Sequence, residues 1–503
     1  DSIIVSNTAP GAPSISIEPT EPTAGADDLL CQIDADSSDD DGDSISYTID
    51  WEVDGVVYTD ATTTHETGDT VPGAETIGDE IWTCTVTPND GDEDGTSVST
   101  SVLTTGCFEG WDDTEVDLID AGYSFIGEES GDHSGRSVSS AGDVDGDGLD
   151  DLLIGAGYND RGDSSAGAAY IILAASLASD TEIDLEAADY ILVGVDYDDT
   201  AGLTVAAAGD VDGDGLDDIL VGAEAEDTGS SNAGGTYVIL GASLGASQVI
   251  SLDDADYLLY GENSSDYSAS GSSASIASAG DVDGDGLDDI LIGAPANSDN
   301  GSYAGKAYLV LGGSLDSSTM SLSDADFAFY GESAGDNAGT SVASAGDVDG
   351  DGLDDILVGA FSEDTNGGDS GATYLFLGAS LGTSGGFDLG DADTILYGET
   401  EGDYSSWGIA GPGDVDGDGL DDILVGAKLN DEGSSDAGKV YLVLGSSLGS
   451  SATIQLSDAD VMMWGELGES VGHSISGAGD VDGDGLADLW IGAYGTSPGG
   501  SAY

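Results

Sequence analysis

Positive charge is almost missing from this chain: five Lys and Arg stand against 102 Asp and Glu in 503 residues, for a formal net charge of -97. That balance excludes a general hold on nucleic acid or on an anionic membrane, because both are built on Lys and Arg contacts to phosphate. Histidine is scarce too. His65, His133 and His473 lie in unrelated contexts, without zinc spacing or a triad partner. Among so many acids a carboxylate pair is weak support for acid–base catalysis, so nothing points to an enzyme. No apolar stretch approaches the ~20 residues of a membrane-spanning helix, so no membrane insertion is expected. No charged-then-apolar leader opens the chain, which begins at Asp1; the expectation is a mature or excised portion of a secreted protein. Helical periodicity is also lacking, and the Ser-Leu-Gly turns at Ser380 and Ser447 are too short for more than one helical turn.

What is abundant is one phrase of nine residues. Asp-Val-Asp-Gly-Asp-Gly-Leu-Asp-Asp starts at Asp143, Asp210, Asp281, Asp347, Asp414 and, with Ala487 at its eighth place, Asp480, so the period stays between 66 and 71 residues. A period that regular defines a repeat architecture. Carboxylates at places 1, 3, 5 and 9 can converge on one hard cation, as in the first part of an EF-hand loop, while place 7 offers its backbone carbonyl. The glycines at places 4 and 6 let the backbone curl enough to aim alternate side chains inward.

The candidate ligands are therefore Asp143, Asp145, Asp147 and Asp151 with the carbonyl of Leu149, then Asp210, Asp212, Asp214 and Asp218 with Leu216, then Asp281, Asp283, Asp285 and Asp289 with Leu287. The later copies supply Asp347, Asp349, Asp351 and Asp355 with Leu353, then Asp414, Asp416, Asp418 and Asp422 with Leu420, and Asp480, Asp482, Asp484 and Asp488 with Leu486. About six Ca²⁺ ions are implied. Because the sixth copy carries Ala487, place 8 is expected to point outward, and Asp354→Ala is expected to be nearly silent. An EF-hand is excluded by context, since Ile-Leu-Val-Gly-Ala runs follow the loops instead of helices. Six such ions would return little of the charge, leaving about -85. So strong an Asp excess suits a salt-rich medium, where screening shortens repulsion to roughly 8 Å or less.

Length alone suggests about three domains, but the period argues for one small domain and one large repeat domain. Residues 1–12 read as a strand, Ile3-Ile4-Val5, and a proline-punctuated linker, belonging to a preceding module or acting as a donor strand to another sheet. From 13 to 106, short alternating strands at Ser14, Leu29, Ser44, Gly55, Ile81 and Ser97 form a two-sheet sandwich pattern. From 107 to 503 each repeat has four strand candidates, the pattern of a β-propeller blade. The fold class is all-β: a sandwich followed by a propeller of four-stranded blades, with six repeats visible and six or seven blades in the ring. Val116–Gly127 matches a fourth strand although it precedes the first loop, and is expected to supply the outer strand of the last blade; Tyr503 aligns with the opening of a third strand.

Two resemblances add to this. Trp82-Thr-Cys-Thr-Val-Thr-Pro-Asn-Asp-Gly91, with Cys31 and Cys84 flanking Trp51, resembles the bacterial and archaeal Ig-like or cadherin-like modules over about 90 residues. The resemblance implies a Cys31–Cys84 disulfide, and leaves Cys107 as an odd cysteine open to an intermolecular bridge. The run Ser341-Val-Ala-Ser-Ala-Gly followed by the fourth loop and Ile-Leu-Val-Gly-Ala360 resembles the FG-GAP repeat of integrin α-subunit propellers and of many bacterial secreted proteins, over roughly residues 112–503. It implies Ca²⁺ at the hairpin between two blade strands. The Phe of that motif is replaced by Ser134, Ala201 and Ala338, and only Gly293-Ala294-Pro295 spells its second half, which weakens any transfer of integrin ligand recognition.

The expected function is that of a non-enzymatic secreted or cell-surface calcium-binding protein, mediating adhesion to an extracellular protein or glycan or building an extracellular structure. Alternatives are a filament subunit joined to copies of itself by strand addition, and the scaffold portion of a larger secreted enzyme acting on glycan or lipid. Weaker signals are read as ordinary loops: Arg161-Gly162-Asp163 follows an Asp-x-Gly pattern shared with Asp227–Ser230 and Asp431–Ser434, and Asn263 and Asn300 head glycosylation sequons. The acidic loop from Asp34 to Asp43 is as well explained by solvation as by another ion.

Overall fold

The computed structural model describes residues 7–103 and 123–502 except 20–21, 23–28, 40, 42, 54–55, 60, 65–67, 73–75, 77–80, 179–181, 246, 271–274, 433, 450–451, 482, 484 and 496–500. Ile3-Ile4-Val5, His65, Cys107, Asp482, Asp484 and Tyr503 thus lie outside the described residues. The chain forms two compact units.

The first unit has seven strands: β1 (Ser14–Glu18), β2 (Leu29–Ala35), β3 (Ser46–Val53), β4 (Val56–Tyr58), β5 (Thr70–Val71), β6 (Ile81–Asn89) and β7 (Val98–Leu103). They make two sheets, β1-β2-β5 and β4-β3-β6-β7. Strand β6 shows why. Its residues alternate, so that Trp82, Cys84, Val86 and Pro88 are buried, while Thr83, Thr85 and Thr87 face outward and meet Ser101, Ser99 and Ser97 hydroxyl to hydroxyl at 2.9, 2.8 and 2.8 Å. The inner faces share one core around Trp51 and Trp82, whose rings meet edge to face at 6.4 Å. Cys31 on β2 is bonded to Cys84 on β6, tying the two sheets together. The acidic loop after β2 is a fastening: Asp41 accepts from the Thr8 N–H at 2.8 Å and from its hydroxyl at 2.6 Å, and Asn7 donates to Asp90 at 2.8 Å. Residues 7 and 8 are therefore held against this unit, although the proline pattern reads as a free linker.

The second unit opens with β8 (Ser124–Ile126). The first repeat then contains β9 (Val138–Gly142), β10 (Asp151–Ala156), β11 (Ala168–Ile172), β12 (Glu182–Asp184) and β13 (Tyr190–Val193), and the second β14 (Thr204–Gly209), β15 (Asp218–Ala223), β16 (Gly235–Ile239), β17 (Val249–Ser251) and β18 (Tyr257–Tyr260). Strands β9, β10, β11 and β13 run antiparallel in that order. A fifth strand completes the sheet: β17, from the next repeat, lies parallel to β13. The second, third and fourth blades borrow Thr319–Ser321, Gly385–Asp388 and Thr453–Gln455 in the same way. The fifth sheet has four strands and the sixth, ending at Ser501–Ala502, has three. The blades are thus four strands plus one, where the sequence suggests four alone. β8 pairs in parallel with β12, as an outer strand does, but sits in a two-stranded sheet with it rather than in the last blade.

Strands β15 and β16 are buried along their whole length. This explains why Ile-Leu-Val-Gly-Ala is a continuous apolar run: both faces of the middle strands are covered by neighbouring blades. Apart from one layer around Ile154, Tyr170 and Ile191 that lies within the first repeat, the apolar layers are shared. One holds Leu153 and Ile171 of the first repeat with Ile219 and Val221 of the second, another Leu220 and Val238 of the second with Ile290 and Tyr308 of the third. A single repeat has no complete core of its own.

Candidate metal centre

All six nine-residue segments join the first strand of a blade to the second. The hairpin is wound by its own carboxylates. Asp143 Oδ1 accepts from the N–H groups of Gly146 and Asp147 at 2.8 and 3.0 Å, and Oδ2 from that of Gly148 at 2.9 Å. Asp145 accepts from the Asp147 N–H at 3.1 Å, and Asp147 from the Leu149 N–H at 3.0 Å. The second to fifth loops repeat the place-1 pattern around Asp210, Asp281, Asp347 and Asp414. In the sixth, Asp480 accepts from Gly483 and Gly485.

Place 9 anchors the loop to the sheet. Asp218 is 1% exposed; its Oδ1 accepts from the Gly241 N–H at 2.8 Å and its Oδ2 from the Val211 N–H at 2.9 Å. Burial pushes the carboxyls of Asp218, Asp289 and Asp355 up to about 7, with the charges at places 1 and 3 adding to the effect, and raises those of Asp151 and Asp422.

Three acids come together in each of the first five loops, where the spacing suggests four. Carboxylate oxygens lie within 4.8 Å of one another in Asp143, Asp145 and Asp151, in Asp210, Asp212 and Asp218, and in Asp414, Asp416 and Asp422. The same holds for Asp281, Asp283 and Asp285 and for Asp347, Asp349 and Asp351. Places 1 and 3 thus meet in five loops, joined by place 9 in three and place 5 in two. Such all-oxygen clusters suit a hard divalent cation.

Place 8 does not point outward, contrary to the expectation drawn from Ala487. Asp217 of the second loop reaches back to the first, where its Oδ2 accepts from the Asp143 N–H at 2.7 Å, and Asp288, Asp354 and Asp421 do the same for Asp210, Asp281 and Asp347 at 2.8 Å each. The arrangement requires Gly142: at φ +72° it turns the chain into the loop, and a Cβ there would lie 2.2 Å from Asp217 Oδ2. The glycine before every loop was the available sign in the sequence. In the first loop, Leu149 is 56% exposed and Asp150 is exposed too.

The weaker signals dissolve. Arg161 of the Arg-Gly-Asp triplet is bound to Glu128 at 2.7 Å. His133 packs on Tyr158, and His473 lies between Trp407 and Tyr494, so these two are not brought together. Among the described residues no helix is long and apolar enough to cross a membrane.

Comparison with known proteins agrees with this geometry. Five segments, 134–172, 201–239, 273–310, 338–376 and 406–443, match the FG-GAP repeat, and each contains one of the first five loops. The chain is 31% identical over 250 residues to integrin alpha pat-2 of Caenorhabditis elegans, covering 47% of this chain and 18% of that protein. It is 38% identical over 174 residues to human integrin alpha-IIb, covering 33% and 16%, and 30% identical over 235 residues to integrin alpha-PS2 of Drosophila melanogaster, covering 43% and 15%. The chain thus spans less than a fifth of the length of these relatives. It thus carries five segments that match the FG-GAP repeat and is similar, over part of its length, to integrin alpha subunits.

Proposed function

We propose that this chain is a non-enzymatic adhesion module of the cell surface or extracellular space, in which a calcium-loaded propeller presents a binding face to an extracellular protein or glycan. The observation that carries this is the convergence of Asp side chains in five consecutive loops of one propeller. Each loop holds one Ca²⁺ through places 1, 3, 5 and 9 and the carbonyl at place 7, with the sixth loop taking another. The likeness to integrin alpha subunits supports the adhesive role. The first unit is an Ig-like stalk, a reading supported by its two sheets, its Cys31–Cys84 bond and the buried Trp51 beside it.

The ions are structural. Extracellular calcium modules bind at about 10⁻⁴–10⁻³ M, and tenfold excess over Kd contributes about 1.4 kcal/mol per site. Six sites then contribute roughly 8 kcal/mol, as much as the ~5–15 kcal/mol stability of a whole domain. Native mass spectrometry with melting curves in calcium and in chelator tests this. The expected result is ion uptake at the loops and a large fall in melting temperature of the propeller on chelation, with binding to immobilised glycans or matrix proteins lost at the same time. An unchanged melting curve and no ion uptake would sink the reading.

A further inference from the structure

Of the few basic side chains, Arg161, Lys306 and Lys439 are each bound by a glutamate. Lys428 is the exception. Among the described residues no carboxylate lies within ion-pair distance of it, and its Nζ stands instead over the Trp407 ring. Burial draws its ammonium down to about 8, and no acid offsets that loss. In a chain with 102 acids, this half-buried cation has no counter-charge of its own. An ammonium has three N–H donors, and a ring face engages it from one side only.

The surroundings of Lys428 are aromatic. It follows the strand Asp422–Ala427, as Phe361 follows Asp355–Ala360 and Tyr494 follows Asp488–Ala493, so all three stand at the edge opposite the nine-residue loops. Trp407 and His473 lie in the opening of the strands Ser405–Gly413 and Val471–Gly479, at that same edge. The rings form one row across three blades. Tyr404 meets Phe361 at 5.4 Å, Phe361 meets Trp407 at 5.0 Å, Trp407 meets His473 at 5.9 Å and His473 stacks on Tyr494 at 5.0 Å, centre to centre. Tyr494 is 74% exposed and the other rings are half-buried. Burial, then the Lys428 charge, lower the His473 imidazole, which is therefore mostly neutral at pH 7 and able both to donate and to accept. The first two repeats lack the row: Gly157 and Glu224 stand where Phe361, Lys428 and Tyr494 do, and Arg136 and Leu203 where Trp407 and His473 do.

We propose that the row from Tyr404 to Tyr494 binds a pyranose sugar carrying an anionic group, whose carboxylate or sulfate accepts hydrogen bonds from the Lys428 ammonium, a ligand class that rests on the adhesive reading above. The C–H face of a pyranose packs on aromatic rings, and its hydroxyls meet the Tyr hydroxyls and the imidazole. A charge-assisted bond to a partly desolvated ammonium selects an acidic sugar over a neutral one. The site is made of ring faces at strand ends and not of a free strand edge, which suits a cyclic ligand better than an extended peptide. The charge of -97 repels a polyanion, so a single acidic unit at the end of a glycan fits better than an acidic polymer.

Calorimetric titration of the full chain in calcium with glucuronate, a sulfated glucose, glucose and a Glu-rich peptide tests this. Glucuronate or the sulfated sugar should bind, and whichever binds identifies the anionic group; glucose should bind at least ~tenfold more weakly. Lys428→Met keeps the stem over Trp407 and removes the charge, so it should lower the affinity for the acidic sugar to that for glucose, while Lys428→Arg restores it. If Lys428→Met fails to fold, as melting curves in calcium will report, Tyr494→Ala at its exposed position carries the test with a similar loss. Equal binding of glucose, binding of the peptide alone, or unchanged affinity in Lys428→Met and Tyr494→Ala overturns the sugar site. A chain that takes up calcium and adheres to matrix protein but binds neither acidic sugar overturns this site too, and leaves the adhesive reading standing.

Discussion

Asp354 Oδ2 accepts a hydrogen bond from the backbone N–H of Asp281, 2.8 Å away, and the Asp354 N–H donates to the Asp281 carbonyl at 3.1 Å. The two residues belong to consecutive repeats, one at place 8 of the fourth loop and the other at place 1 of the third. A residue outside the acid cluster of its own loop thus fixes the first aspartate of the neighbouring loop, and loops adjacent in the ring share a backbone clasp.

Substitution separates this clasp from a solvent role. Asp354→Ala leaves a part-buried N–H without its carboxylate, which costs ~1–3 kcal/mol. Asp150→Ala removes the same place from the first loop, where the residue is exposed, and should stay within about 0.5 kcal/mol of neutral. Urea unfolding in saturating calcium measures both. Equal midpoints for the two variants would show that the bridge carries no weight.

Acidity should act in opposite senses on the metal-free and metal-loaded forms. The carboxyls of Asp218, Asp289 and Asp355 rise from an ordinary 3.8 to about 7 through burial. A carboxyl with a raised folded-state pKa favours folding below its unfolded value, and that contribution is lost as pH climbs through the folded one, at about 1.4 kcal/mol per unit of difference. Without calcium, the propeller should therefore melt higher at pH 5 than at pH 8. With calcium, the ion competes with the proton for the same oxygens, so half-saturation should need more calcium at pH 5. Melting curves at both pH values, in chelator and in calcium, decide it; a chelated protein that stabilises on going to pH 8 contradicts the assignment.

Reduction should weaken the first unit alone. Cys31 and Cys84 close a loop of 53 residues in sequence separation. The chain-entropy estimate for a loop of that size is about 4 kcal/mol. Cys31→Ser with Cys84→Ser, followed by hydrogen exchange, should raise exchange in β2, β3 and β6 and leave the blade strands unchanged. Equal loss of protection in both units would mean that they do not fold separately.

The acid clusters of the loops are readable because their carboxylates are neighbours in sequence and recur with one spacing. The middle blade strands were readable because burial on both faces writes an unbroken apolar run. Place 8 cannot be read from a single residue: Ala487 suggests tolerance in every copy, although what place 8 touches belongs to the repeat before it. The borrowed strands leave no pattern in the sequence because Val249–Ser251 and its counterparts span only three or four residues amid Ser, Gly and Asp, too few for a period of two to show.

The parallel strand that each blade takes from its successor also governs how these molecules meet one another. An outermost strand with free N–H and C=O groups is a template for pairing with another chain. In the first four blades that rim is already occupied, by β17 and its three equivalents. Mutual repulsion from a charge of -97 keeps chains apart in dilute buffer but fades as salt shortens its range. In brine, the colloidal stability of these four rims would rest on those small strands.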